Sequence, residues 1–336
     1  MGPQMFVMPN NDDWIRGCLY TIAMGTPFLL QPWLSAQTSA FIALGAMFTL
    51  RLDPRCKPKQ QAMAMMGGML LMILSAMLGK LLLGHRELAI TALLILSYIA
   101  GQPKPEQSYF SLLSKFVAAA LMLDEMGFSA TLNTALAYFV GATLAFLLTV
   151  IQTRFLPTQA KSWSPWNEWR ELRTGHLNGP LYGFTLPITI LAAMLTADWL
   201  NVQHASWVGL TVLFVMHIDE QNAWEKVKMR ITGTLLGVIC AYGTIVYLPI
   251  WGLPLVVMLA ALFIPTCLRQ NYMLFSGLIT LIILLIVDLA MQQQGGDVFL
   301  IRWRFIDTLI GCAWVAVSLL LLHIGKKWWP NKPKIK

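Results

Sequence analysis

Residues 207–237, WVGLTVLFVMHIDEQNAWEKVKMRITGTLLG, decide how the chain is read. An apolar run holding one small hydroxyl residue, Thr211, ends abruptly in His217, Asp219 and Glu220. A short charged segment then leads through Arg230 into Gly233-Thr234-Leu235-Leu236-Gly237, which opens the next apolar run. The pattern predicts two membrane helices joined by a polar elbow.

Composition extends this reading to the whole chain. Of 336 residues, 57% are hydrophobic and 12% charged, and the mean hydropathy is +0.62. An ordinary soluble domain is roughly one-quarter charged, and a single soluble core cannot absorb so much apolar surface, whereas a bilayer can. The sequence is that of an all-α integral membrane protein whose surroundings are the lipid bilayer. The net charge of +8 sits mostly in short connections between apolar runs, as the positive-inside bias requires, so nucleic acid is excluded as a partner. The five cysteines (Cys18, Cys56, Cys240, Cys267 and Cys312) are scattered, without a CxxC or a Cys/His cluster. They support neither a disulfide framework nor a structural zinc site. The first ten residues carry no Lys or Arg, so the run that follows is read as a retained span rather than a cleaved signal.

Twelve apolar runs can be marked, at about 17–34, 37–50, 61–83, 88–101, 109–122, 128–151, 181–197, 205–218, 231–248, 253–266, 272–290 and 303–324. Several fall short of the roughly 20 residues that cross a hydrocarbon core, so one or two are open to being tilted or re-entrant. With a cytoplasmic N-terminus, segments 51–59, 102–107, 152–180, 219–230, Arg269 and 326–336 lie inside, and they hold most of the Lys and Arg. The outside segments are short, and Asp124-Glu125 is purely acidic. Both termini are therefore expected in the cytoplasm.

The longest polar segment, 152–180, carries Lys161, Arg170 and Arg173 with tryptophans at 163, 166 and 169. Trp beside Arg at helical spacing suits an amphipathic helix in the cytoplasmic headgroup zone, and Lys326-Lys327-Trp328-Trp329 has the same chemistry. This linker divides the chain into similar halves. RLDPR at 51–55 aligns with HIDEQ at 217–221, placing Asp53 on Asp219 and Gly67 on Gly233; YFVGATLAF at 138–146 aligns with TLIGCAWVA at 308–316, placing Gly141 on Gly311. Six spans per half make both halves enter from the same side, a parallel repeat with any substrate route near the pseudo-two-fold axis. The expected organisation is a first six-helix repeat at 1–151, the linker at 152–180, a second repeat at 181–325 and a basic cytoplasmic tail at 326–336.

No GxxxxGK[ST] loop, HExxH pair or GxSxG elbow occurs, so neither an enzyme nor a bound cofactor or metal is expected. What remains are ionisable residues within spans, each costing about 2.5 to 3.5 kcal/mol at a helix centre on insertion scales. Arg230, before ITGTLLG, either snorkels or stands as a fixed cation beside the small residues Gly233, Thr234 and Gly237. In RWRFIDTLIG at 302–311, Arg304 and Asp307 share one helix face, as a structural ion pair or as a substrate and proton site. His217 and Asp219, with Glu220 beside them, are candidates for proton exchange with the cytoplasm, or form an ordinary solvated helix end. Lys115, two turns into its run, could neutralise a substrate carboxylate, and Asp288, after LIILLIV, could accept a proton. Trp207 and Thr211, one helical turn apart, offer a ring for stacking and a hydroxyl, or Trp207 is an interfacial anchor.

W-x-x-L-T at 207–211, R-x-x-G-T-L-L-G at 230–237 and R-x-x-D-T-L-I-G at 304–311 together resemble the fusaric acid resistance protein-like family, which includes aromatic acid exporters. The first half is similar only in degraded form, SAFIALG at 39–45, AMMGGML at 64–70 and LAYFVGAT at 136–143 lacking the arginines. The resemblance implies a bacterial inner-membrane efflux protein for aromatic or other hydrophobic carboxylic acids, often working with a periplasmic membrane-fusion adaptor. Plant malate channels, with basic residues lining an anion pore, are distantly similar. On this reading Arg230, Arg304 and Lys115 attract a small organic anion, Trp207 and Thr211 hold its body, and Asp219, His217, Asp307 or Asp288 exchange protons. A passive organic-anion channel and a non-transporting membrane scaffold are the alternatives.

Overall fold

Local capping chemistry sets where the helices begin. The Asn10 side chain accepts from the Asp13 backbone N–H while the Asp13 carboxylate accepts from the Asn10 N–H. This reciprocal box opens α1 (Asn11–Leu29). Ser35 caps α2 (Ala36–Arg51) by accepting from Thr38, and Pro58 begins α3 (Pro58–Leu81), where its missing N–H costs nothing. The remaining helices are α4 (Arg86–Ala100), α5 (Tyr109–Leu121), α6 (Leu132–Phe155), α7 (Pro165–Arg173), α8 (Pro180–Trp199), α9 (Ala205–Val215), α10 (Glu220–Tyr247), α11 (Leu253–Gln270), α12 (Tyr272–Met291) and α13 (Val298–Trp328). This computed structural model describes residues 9–82, 84–102, 109–123, 131–155, 164–175, 180–202, 205–216, 220–291 and 298–328.

Each of the twelve apolar runs falls on one of these helices, and the linker supplies α7. Six helical segments are long and apolar enough to cross a bilayer: Pro58–Leu81, Leu132–Phe155, Trp224–Tyr247, Ile250–Gln270, Tyr272–Leu289 and Trp303–Ile324. The 13 residues of α5 and the 11 of α9 span only about 20 and 16 Å, against a hydrocarbon core of about 30 Å. Among the described residues, length and composition thus mark six helices able to cross on their own, where the sequence led us to expect twelve crossings. Exposure confirms the lipid-facing character of the long helices. On α3, Met63, Met66, Leu70, Leu74, Leu78 and Leu81 are exposed while Ala64, Gly68, Met72, Ser75 and Gly79 are buried. Water would not tolerate so continuous an apolar stripe, and lipid requires one.

The helices pair in a recurrent way. In the first set α1 packs on α2 and α6, α2 on α6, α3 on α5 and α6, and α4 on α5. Adding seven to each number gives pairs that are equally present: α8 on α9 and α13, α9 on α13, α10 on α12 and α13, and α11 on α12. The contacts between the sets recur as well, α1 on α11 with α8 on α4, and α2 on α12 with α9 on α5. Close backbone approach fixes two of these pairs. A Cβ on Gly141 would lie 1.9 Å from the Ile42 carbonyl oxygen, and one on Gly311 would lie 3.0 Å from that of Val208. Only glycine permits this approach of α6 to α2 and of α13 to α9. On α3 the packed glycine is Gly68, against Leu52, Tyr109 and Leu113, while nothing lies within 4 Å of a Cβ on Gly67. The helix partner is thus one residue later than the alignment with Gly233 indicates.

Ion pairs identify the two ends of the bundle. At one end Arg16 of α1 holds Asp53 at 2.6 Å and Arg55 holds Asp12 at 2.9 Å. Gln61 of α3 also donates to Asp53, and Arg269 of α11 pairs with Asp13. The start of α1, the end of α2, the start of α3 and the end of α11 therefore meet there; we call it the Asp53 end. At the opposite end Arg86 pairs with Asp198, joining the start of α4 to the end of α8.

Candidate functional site

One cavity of about 300 Å³ lies between the two sets of helices, with walls from α1, α2, α3, α5 and α6 and from α9 to α13. Aromatic rings form much of it. Phe116 of α5 touches both Phe48 of α2 and Phe214 of α9, with ring centroids 5.0 and 5.7 Å apart. Into this apolar wall project Arg51, Lys115, Lys226, Arg230 and Arg304, and the described lining residues include no Asp or Glu. A cation-rich lining in a low-dielectric wall attracts an anion, and rings around it accept an apolar body.

All five residues expected to hold substrate are on this wall. Arg304 is 6% exposed, and its guanidinium lies 3.6 Å above the centre of the Trp207 ring. Stacking of this kind favours a desolvated cation and fixes the plane of the guanidinium. Its Nε and Nη1 have no hydrogen-bond partner, and neither does Nε of Arg230. Arg230 sits beside Tyr272, the first residue of α12, and within electrostatic reach of Arg304. Lys115 is buried in the middle of α5. Thr211 reaches the wall, but its hydroxyl donates to the Trp207 carbonyl at 3.2 Å. Its Cβ and methyl group fill the space beside Gly311, so only its lone pairs remain for a ligand.

The candidate proton groups are placed differently. Asp307 is 1% exposed on α13, one turn beyond Arg304, with Oδ1 lacking a hydrogen-bond partner. It is not among the lining residues, and the guanidinium of Arg304 stacks on Trp207. Asp288 is part-buried near the end of α12 and also off the cavity wall. His217 and Asp219 lie outside the described residues, and of Glu220 only the backbone is described.

Arg51 and Lys226 were not singled out from the sequence. Arg51 closes α2 next to the Asp53 loop and looks like a solvated helix-end arginine; only the folding of α2 across α1 and α12 turns it inward, where it shares the wall with Tyr20. A signal did exist, since the internal alignment sets Arg51 against His217 of the elbow.

The linker helix also bears on the site. Glu168 of α7 is 1% exposed and accepts from the backbone N–H groups of Tyr109 and Phe110, each at 3.1 Å. A carboxylate here satisfies two orphan donors and complements the positive end of the α5 dipole. It secures the short helix that carries Lys115 and Phe116, while Trp166 and Trp169 on α7 stay exposed. The headgroup-zone placement of α7 rests on these rings; Lys161 and Trp163 lie outside the described residues.

Comparison with known proteins places this arrangement. Residues 191–318 match the model of the fusaric acid resistance protein-like family. The chain is 32% identical over 123 residues to the inner membrane protein YccS of Escherichia coli (strain K12), a match spanning 36% of this chain and 17% of that protein. No solved structure matches. The segment that includes Trp207, Arg230 and Arg304 thus matches the family model, and the chain is a multi-pass membrane protein.

Proposed function

We propose that the chain is a bacterial inner-membrane transporter that exports small aromatic or otherwise apolar carboxylic acids through the cavity between its two sets of helices. The observation that carries this reading is the convergence of Arg51, Lys115, Lys226, Arg230 and Arg304 with the Phe48–Phe116–Phe214 rings on one wall. The guanidinium of Arg304, held flat by Trp207, receives the carboxylate. The rings receive the body of the acid.

The same reading takes the chain as two parallel repeats of six membrane helices, α1 to α6 and α8 to α13, joined by a cytoplasmic linker helix. Its support is the recurrence of the main helix pairs with a shift of seven and the matching close approaches at Gly141 and Gly311. The Asp53 end, with Arg16, Arg51, Arg55, Lys57, Lys59 and Arg269 around it, is then cytoplasmic. The short helices α5 and α9 cross with the help of thinned or polar-lined surroundings.

Placement of the acidic groups favours passive export. Asp307 and Asp288 stand off the cavity wall, and an anion leaving a negative-inside cell already gains about 2.3 kcal/mol per charge per 100 mV. Reconstituted protein should release benzoate along an imposed potential at equal pH on both sides. Flux that follows only a pH gradient would show proton coupling instead, and flux no faster than protein-free vesicles would dismiss transport.

A further inference from the structure

The cationic wall extends along the cavity from Arg51 to Arg304. The Asp53 end holds the last residue of α2, Arg51, and the start of α12, Tyr272, because α11 arrives there through Arg269 and α12 follows it directly. Helix α10 packs on α12 with Gly233 against Met273 and Gly237 against Gly277. Arg230, beside Tyr272, stands on the wall that runs from this end and lies within electrostatic reach of Arg304. Helix α12 runs away from it, so α13 starts at the far end, and with it Arg304 and its stacking partner Trp207. Both ends belong to the same cavity, whose α2 wall alone extends from Phe41 to Arg51, about 15 Å along the helix. Between the ends lies the ring belt of Phe48, Phe116 and Phe214.

A buried cation is costly until an anion compensates it. Arg304 has Asp307 within electrostatic reach, yet one monocarboxylate seated beside it leaves Arg51 at the other end without an anion in the cavity, and one seated at Arg51 leaves Arg304 and Arg230. An elongated acid with an anionic group at each end of an apolar body compensates both while its body crosses the ring belt. We propose that the cavity is built for acids bearing two anionic groups separated by an aromatic or apolar spacer, one group at Arg304–Trp207 within reach of Arg230 and the other at Arg51. This deepens the organic-anion reading and rests on it.

The test compares a biphenyl bearing one para carboxylate with the biphenyl bearing two, one on each outer para position. Binding is measured calorimetrically on the full chain in lipid nanodiscs. The diacid is expected to bind at least about tenfold more tightly than the monoacid. Arg51→Gln should bring the diacid down to the monoacid value while the monoacid, seated at Arg304, changes by less than about threefold, and Arg304→Gln should weaken both acids by about tenfold or more. Equal affinity of the two acids in the wild type, or a diacid advantage that survives both substitutions, overturns the two-ended site but leaves a single-anion transporter standing. Absence of binding by either acid overturns the two-ended site and the organic-anion reading together.

Discussion

Arg304 is the residue on which the chemistry turns. Its guanidinium is buried, stacked 3.6 Å from the Trp207 ring centre and left with two free nitrogens. Arg304→Lys keeps the charge but loses the planar fork and the stacking, so the affinity for benzoate should fall about tenfold, with Arg304→Ala falling further; titration by calorimetry reads both. Trp207→Leu removes a cation–π contact worth about 0.5 to 2 kcal/mol and should weaken benzoate binding by a comparable factor with the helix bundle intact. Arg304 and Trp207 were legible because motif and membrane cost both mark them. Arg51 was not, since an arginine at a helix end has a bland explanation until the fold of α2 shows that it reaches the cavity.

Among the elements, the short helix α5 depends on α7. Glu168 accepts from the first two backbone N–H groups of α5, and loss of this cap should cost about 0.5 to 2 kcal/mol. Glu168→Gln is therefore expected to lower the melting temperature in detergent and to speed proteolysis within 164–175, with Glu171→Gln on the same helix as the silent control. Glycine contacts make a second contrast. Gly141→Val drives a side chain into the Ile42 carbonyl and should separate α2 from α6, whereas Gly67→Ala meets nothing within 4 Å. Thermal unfolding of the two variants distinguishes them. Periodicity and composition predicted every helix, and the tryptophan-rich linker predicted α7. The cap by Glu168 was hidden because it joins residues 59 positions apart, and Gly68 was mistaken for Gly67 because apolar alignments tolerate a slip of one.

At the scale of the whole molecule, a bundle with paired sets of helices encloses one cation-lined, ring-lined cavity. Sequence could place the route between two halves, but not the number of full crossings, because the lengths of α5 and α9 depend on how their neighbours shape the surroundings. Orientation is open to direct measurement. In a background without the native cysteines, Lys57→Cys should react with an impermeant maleimide only from the cytoplasmic face and Glu87→Cys only from the periplasmic face; labelling from the reversed faces would invert the route. The central claim, that the cavity conducts organic anions by way of its arginines, is tested most directly by flux of radiolabelled benzoate in proteoliposomes under a potassium-diffusion potential at alkaline pH, where leak of the neutral acid is small. The account predicts potential-driven flux well above that of empty vesicles, lost in Arg304→Ala protein of the same fold and amount. Wild-type flux equal to that of empty vesicles, or undiminished flux through Arg304→Ala, would contradict it.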